Sequence, residues 1–285
     1  MNVEEIPLVF ECQGDALVGI VHRPEQSAQR GVLAVVAGGP QFRGGCCRQL
    51  VLMARDLSSR GIPVMRFDYR GMGDSGGAFR GFQHIEDDLR AAIDLFMATV
   101  PGMKEIVLWG GCDAASAIMI HGHRFPVVTG MILGNPYAHT EATEAAVTRQ
   151  YYLQRLRDKA FWAKVIKLRF NPLKIMRSVW CSVRGVSQHK ARATHATSQG
   201  EAPFTERMLH GFKQFPGRVL LLMSGLSLTS QEFDVLVATS PAWRKAAQAA
   251  HMERIDIANA DQTFSTFEAR DAMIAAAKNW LLNWK

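Results

Sequence analysis

Ile106-Val107-Leu108-Trp109-Gly110-Gly111-Cys112-Asp113-Ala114-Ala115-Ser116-Ala117 decides the architecture of this chain. A continuous apolar run, the pattern of a strand buried on both faces, leads into Gly110-x-Cys112-x-Ala114. A small-residue helix follows. This is the layout of a nucleophile elbow with cysteine at its centre. Such a turn imposes strained backbone angles on the central residue, so small neighbours are needed at Gly110 and Ala114. It lifts the central side chain above the sheet and aims the N-terminus of the next helix at it. A buried cysteine on a strand–helix corner fits the same residues, because free cysteine packs as a small hydrophobe. The stretch by itself leaves both readings open.

The flanking sequence alternates strand and helix patterns. Short strands are expected at 8–10 and 17–22, separated by the turn signal Gly14-Asp15. The apolar run at 32–36 reads as a strand buried on both faces, and 63–67 reads as another strand. The first ends in Gly38-Gly39-Pro40 and the second in Asp68-Tyr69-Arg70-Gly71-Met72-Gly73-Asp74-Ser75. Residues 48–60 have helical periodicity through Leu50, Val51, Ala54 and Leu57. Residues 85–99 do too, and open with Glu86, Asp87 and Asp88, acids that suit a helix N-terminus. A further strand is expected at 127–133. This alternation predicts right-handed crossovers and an α/β fold, a mostly parallel, doubly wound sheet.

The alternation then stops. Residues 139–215 show helical patterns and polar linkers, with a loop rich in Ala, Thr, Ser and Gly at 190–201. Strand patterns return at 218–223 and 254–257, and a last helix is expected at 268–284. The reading is a core built from 1–138 and 216–285, with a helical cap and linker inserted at 139–215.

Composition narrows the function classes. With 285 residues and 48% hydrophobic content, the chain can bury a large core. No stretch reaches the ~20 apolar residues of a membrane span. The acidic Met1-Asn2-Val3-Glu4-Glu5 lacks an apolar secretory core, so a cytoplasmic place is expected. The five cysteines show no CxxC and no metal-ligand spacing. Reduced thiols are expected, the adjacent Cys46-Cys47 being poorly suited to pair with each other. Neither metal nor cofactor is expected.

The net charge of +7 is unevenly placed: residues 149–192 carry +11 and the remainder −4. A helix drawn over 151–170 has Tyr152, Leu153, Leu156, Ala160 and Val165 on one side. Arg155, Arg157, Lys159, Lys164 and Lys167 supply its polar side. Three readings stay open for this basic cap. It packs over the core with a solvated face, it attracts an anionic substrate, or it lies peripherally on the anionic inner membrane. Nucleic acid is not expected, for want of interleaved aromatic stacking motifs.

Three features coincide in chain order: the Gly-rich loop, the Asp68–Ser75 loop and the elbow. Together they resemble the α/β-hydrolase superfamily. The runs Gly38-Gly39-Pro40-Gln41-Phe42, Arg66-Phe67-Asp68-Tyr69-Arg70-Gly71-Met72-Gly73-Asp74-Ser75 and Leu108-Trp109-Gly110-Gly111-Cys112-Asp113-Ala114-Ala115-Ser116-Ala117 bring the resemblance closer. So do Tyr151-Tyr152-Leu153-Gln154-Arg155-Leu156 and Asp261-Gln262-Thr263-Phe264-Ser265. They are similar to the exosortase A system-associated hydrolases of type 1. The resemblance implies an α/β-hydrolase fold with an inserted cap and a role beside the exosortase and exopolysaccharide system. It also implies a small acyl substrate whose ester, thioester or similar bond is hydrolysed.

It further implies a division of roles. Cys112 is expected as nucleophile, with the backbone N–H groups of Asp113 and Gly39 as oxyanion donors. The family's acid would follow the strand at 219–223, where this chain reads Ser224-Gly225-Leu226-Ser227-Leu228-Thr229, placing Ser227 there. The family's base would be a histidine in Ala260-Asp261-Gln262-Thr263-Phe264-Ser265, and Gln262 stands in its place. A glutamine amide hydrogen-bonds but accepts no proton at neutral pH. Cysteine needs a base less than serine does, since about 3% of an unperturbed thiol is ionised at pH 7. A weak enzyme is therefore expected, with a non-catalytic protein that keeps the pocket for binding or scaffolding as the alternative.

Few residues could substitute. His121 and His123 lie roughly 13–17 Å along the helix after the elbow, too far away. His251 precedes the last strand, at the other end of the sheet. His139 follows a strand on the catalytic side and is the candidate substitute base, although a solvated loop histidine is the plainer reading. Glu232 and Asp234 are candidate substitutes for the acid, or ordinary helix-start charges. Asp68 and Arg70 read as residues that fix their glycine-rich loop.

Overall fold

Side-chain alternation along residues 3–24 builds a long antiparallel ribbon, β1 (Val3–Cys12) paired with β2 (Asp15–Pro24). The turn between them runs through Gln13 and Gly14, both at positive φ. Each strand is longer than the sequence pattern predicts. Charged residues such as Glu4, Glu5 and Glu11 lie on exposed positions of the ribbon. Ladder hydrogen bonds extend through them although no apolar pattern marks them. The computed structural model describes residues 2–26, 28–38, 41–140, 143, 202–249 and 251–284.

Six further strands follow: β3 (Arg30–Val35), β4 (Val64–Asp68), β5 (Glu105–Gly111), β6 (Val128–Gly134), β7 (Arg218–Ser224) and β8 (Met252–Ile257). The sheet order is β1-β2-β4-β3-β5-β6-β7-β8. β2 runs antiparallel to β4, and every pair from β4 through β8 is parallel. The described helices are α1 (Gln49–Ser58), α2 (Glu86–Thr99), α3 (Asp113–His121), α4 (Phe204–Gln214), α5 (Leu228–Thr239), α6 (Pro241–Ala247) and α7 (Phe267–Leu282).

Helices cover both faces, which is why the inner strands read as unbroken apolar runs. On β3, Leu33 and Val35 join the core beneath α2 and α3. Val32 and Ala34 join the core beneath α1 and α7. The same alternation sends Leu108 of β5 to the first core, and Val107 and Trp109 to the second.

The chain leaves β3 for β4 on one side and returns to β5 on the other. Their carboxyl ends therefore flank the switch point where open α/β sheets bind ligands. The Gly-rich loop and the elbow meet there. Of the cap expected at 139–215, the described part is 139, 140, 143 and 202–215, including α4, which packs on α3. The basic helix expected at 151–170 and the loop at 190–201 lie outside the described residues. Among the described residues, no helix is long and apolar enough to cross a membrane.

The loop after β4 is held as its sequence predicts. Buried Asp68 accepts the backbone N–H and a guanidinium N–H of Arg43, the latter at 2.5 Å, and the Asp74 N–H at 3.1 Å. Ser75 Oγ donates to the Asp68 carbonyl at 2.6 Å and accepts the Val18 N–H at 2.8 Å, tying the loop to β2. Buried Arg70 forks onto Asp88 of α2 at 3.0 and 2.9 Å, and the Arg70 backbone N–H joins the same carboxylate at 2.8 Å. Removing one partner strands a desolvated charge and a backbone donor. Asp88→Ala is expected to lower the unfolding free energy by about 3–5 kcal/mol. Urea denaturation followed by circular dichroism measures this, and a loss below about 1 kcal/mol would show a solvated pair.

Candidate active site

Cys112 stands between β5 and α3 at φ 54°, ψ −124°. Backbone of this kind costs about 1–3 kcal/mol and persists only where the surroundings enforce it. A Cβ on Gly110 would lie 2.7 Å from Ile118 Cδ1 and 2.9 Å from the Ala114 carbonyl carbon, so the turn closes only over glycine. The Cys112 N–H donates to the Gly134 carbonyl at 2.8 Å, and its own carbonyl accepts the Tyr137 N–H at 3.1 Å. The backbone is that of an elbow, not of a plain strand–helix corner.

The Gly-rich loop is stapled to it. Gly38 N–H donates to Asp113 Oδ1 at 2.7 Å, and a Cβ on Gly38 would lie 2.0 Å from Asp113 Oδ2. Asp113 thus has two tasks: its carboxylate holds the loop, and its backbone N–H faces the Cys112 sulfur. Gly39, the expected second oxyanion donor, lies outside the described residues.

Gln262 Nε2 donates to Cys112 Sγ at 3.1 Å. Its Oε1 accepts from Thr229 Oγ1 at 2.6 Å and from Ser227 Oγ at 3.2 Å. Ser227 caps α5 and accepts the Ser230 N–H at 3.2 Å, which turns its own O–H toward the amide. Three expected positions therefore join in one hydrogen-bonded chain: Cys112, Gln262 and Ser227. Every donor in it points toward the sulfur, and no member can accept the thiol proton at neutral pH.

The surroundings also oppose ionisation. Burial pushes the Cys112 thiol up to about 11, and the Asp113 carboxylate adds to the rise, as does Glu232 more weakly. The Asp113 backbone N–H and the Gln262 amide act the other way without prevailing. At pH 7 the neutral thiol dominates more strongly than in a free cysteine.

His139 is placed against Glu232, with Nδ1 2.7 Å from Oε1. The candidate substitute base and one candidate acid thus meet each other, with Glu232 buried. Asp234 instead forks onto Arg254 of β8 at 2.6 and 3.1 Å. His121 lies at the far end of α3, against the Gln83 carbonyl at 3.0 Å. Burial lowers its pKa to about 4.

Sequence reasoning missed Thr229, Asn135 and Tyr137. Buried Asn135, at φ 47°, donates to Ser224 Oγ at 2.8 Å and to the Gln262 carbonyl at 2.9 Å. Its Oδ1 accepts the Ser224 N–H at 2.8 Å and the Ser230 hydroxyl at 2.7 Å. It joins the ends of β6 and β7 to the loop that carries Gln262. Its signal was an asparagine directly after an apolar strand, a residue type that tolerates left-handed backbone. Tyr137 stacks on Phe204 at 5.8 Å and forms a wall beside the elbow. A cleft of about 830 Å³ opens between Gln41-Phe42 and the loop after β4, with Phe42 and Phe79 exposed on it. Among the described residues, no cluster of three or more His, Cys, Asp or Glu side chains is placed to hold a metal.

The sequence model of the serine aminopeptidase S33 family matches residues 29–199. The chain belongs to this family of α/β-hydrolases. Solved structures share the fold of this S33-family chain. The Pyrococcus furiosus esterase Pf2001 superposes with a TM-score of 0.64 at 14% identity, covering 99% of this chain and 91% of that one. Est1E from Butyrivibrio proteoclasticus, solved with ferulic acid bound, gives 0.58 at 14% identity, covering 96% and 98%. An alpha-beta serine hydrolase homologue from Coxiella burnetii gives 0.57 at 13%, covering 95% and 96%. Likeness at these identities speaks for the fold alone. No curated protein matches the chain.

The raised thiol pKa has a kinetic signature, because the thiolate is the species that reacts. Alkylation of Cys112 by iodoacetamide is expected to climb about tenfold per pH unit between pH 7 and 10. Peptide-resolved mass spectrometry follows it, and a plateau near pH 8.5 would reveal an ordinary thiol.

Proposed function

We propose that this S33-family chain binds a small acyl compound at Cys112 and accepts its acyl group slowly on sulfur, with hydrolysis of the thioester strongly impaired. The observation that carries this is the Gln262 amide, held 3.1 Å from Cys112 Sγ where the resemblance places a base. Attack on an acyl carbonyl needs the thiol proton removed, and the amide cannot remove it. The Asp113 N–H at the start of α3 supports the developing oxyanion, with Gly39 as its expected companion. Deacylation is hindered more, since water must then be activated and the Gln262 amide cannot do it. Loss of the base from a serine triad costs up to ~10⁶-fold in turnover.

The neutral thiol favours a second reading: a non-catalytic member that keeps the pocket for binding or scaffolding. The resemblance to exosortase A system-associated hydrolases supports a place beside that protein-sorting and exopolysaccharide machinery. The +11 charge on residues 149–192 supports an anionic group on the substrate.

Incubation with an activated aryl ester or thioester separates the two readings. Intact-protein mass spectrometry is expected to show one stable acyl adduct, absent in Cys112→Ala, with little product release. A binder alone would give no adduct, and brisk turnover would sink both readings. Restoring acid and base together in Ser227→Asp/Gln262→His is expected to raise turnover by at least about a hundredfold, a typical contribution of a positioned base. A folded double variant as inert as the parent would remove the relay account.

A further inference from the structure

Gly44-Gly45-Cys46-Cys47-Arg48 joins the Gly-rich loop to α1. Its backbone is unusual: φ is positive at Gly45 (71°), Cys47 (49°) and Arg48 (59°). Left-handed backbone costs a non-glycine residue about 1–2 kcal/mol, so two in succession must be held by their surroundings. The hold is visible. Gly45 N–H donates to the Phe42 carbonyl at 2.8 Å, and Leu50 N–H donates to the Gly44 carbonyl at 3.1 Å. A Cβ on Gly45 would lie 2.6 Å from Leu50 Cγ, so Leu50 packs directly on the turn.

The consequence falls on two sulfurs. Adjacent side chains point to opposite faces in a strand and well apart around a helix, which is why adjacent cysteines are ordinarily poor partners. Left-handed Cys47 instead swings its side chain beside that of Cys46, and the sulfurs lie 3.8 Å apart. Cys47 is exposed and Cys46 half-buried, whereas Cys12 is buried. The Cys46 sulfur raises the pKa of the Cys47 thiol, as expected where two thiolates cannot coexist in contact. The Asp261 carboxylate, next to Gln262, also acts on Cys47.

We propose that Cys46 and Cys47 form a vicinal dithiol, a reversible modification site that low-molecular-weight disulfides close into an intramolecular disulfide. One thiolate of the pair attacks a sulfur of RSSR, forming a mixed disulfide and expelling RS⁻. The neighbouring thiolate attacks the protein sulfur of that mixed disulfide and expels the second RS⁻. The two protons lost by the cysteines pass to the expelled thiolates. Two protein thiols are oxidised, and one RSSR is reduced to two RSH.

Strain makes the closure reversible. Neighbouring Cα atoms are ~3.8 Å apart, short of the ~4.4–6.8 Å of relaxed disulfides. A bridge across them is easily reduced, the property of labile and regulatory disulfides. Bonding draws the sulfurs together by about 1.8 Å, so the 44–48 turn must shift. That turn is bonded to Phe42, next to the Arg43 clamped on Asp68. The modification reaches Phe42 and Arg43 without using Cys112, and it stands or falls apart from acyl transfer.

The test is intact-protein and peptide-mapping mass spectrometry of the full chain treated with oxidised glutathione, in the wild type and in Cys112→Ala. The expected product in both lacks two hydrogens, maps to Cys46–Cys47, carries no glutathione there and reverts with reduced glutathione. Cys46→Ser and Cys47→Ser, with folding checked by circular dichroism, are expected to retain a glutathione on the remaining thiol. Phenylarsine oxide, which bridges two thiols, should stay on the wild type at one equivalent and wash off either serine variant. A lasting mixed disulfide on the wild type would overturn the proposal, as would a bridge to another cysteine. So would arsenical retention that either serine substitution leaves unchanged. If a serine variant fails to fold, the wild-type peptide map alone decides.

Discussion

The left-handed backbone of Cys112 is the constraint from which the site follows. It is tolerated because β5 and α3 close over Gly110 with no room for a Cβ. Once the turn is made, the sulfur stands above the sheet and the Asp113 N–H faces it. The Asp113 carboxylate then reaches the Gly-rich loop through Gly38. The strain resides in one residue, and its recovery is spread over two packed cores, one on each face of the sheet. Strained backbone at such a corner is a common device of functional sites, where rigid elements on either side over-determine the geometry.

On that scaffold the hydrogen-bond chain runs one way, toward the sulfur. In a working relay the central group takes a proton from the nucleophile and passes charge to an acid. Here Ser227 and Thr229 donate into Gln262 Oε1, and Gln262 Nε2 donates into the sulfur. The amide is well satisfied and its orientation well fixed. Neither the amide nor the two hydroxyls behind it takes the thiol proton at neutral pH. Burial and the Asp113 carboxylate then decide its protonation, and both favour the neutral form. His139, after β6, and Glu232, on α5, meet near this face.

The elbow, the two loops and the strand–helix alternation were legible because each leaves a local mark. Gly110 and Ala114 around Cys112 mark a turn that only small residues can close. Unbroken apolar runs mark strands covered on both sides. Asp68, Arg70 and Ser75 mark a loop that needs side-chain ties. The full length of β1 and β2 was hidden, because ladder bonding on an exposed ribbon does not require an apolar pattern. Thr229, Asn135 and Tyr137 were hidden for another reason. A threonine in a helix's first turn, an asparagine after a strand and a tyrosine in a loop are ordinary residues until a partner distant in sequence is beside them. Asn135 finds that partner in Gln262, 127 positions away.

The residue order of the chain already sets the succession of elements and which groups stand at positions 112, 227 and 262. That information is written in spacing and residue type, which need no distant partner. The tertiary structure decided which groups meet. Gln262 lies on the sulfur, His139 on Glu232, and Cys46 beside Cys47. Only packing sets the desolvation that raises the Cys112 pKa, and only a left-handed turn brings two neighbouring cysteines to one side. Both are properties of surroundings contributed by residues far apart in the chain or by backbone angles that no residue type dictates.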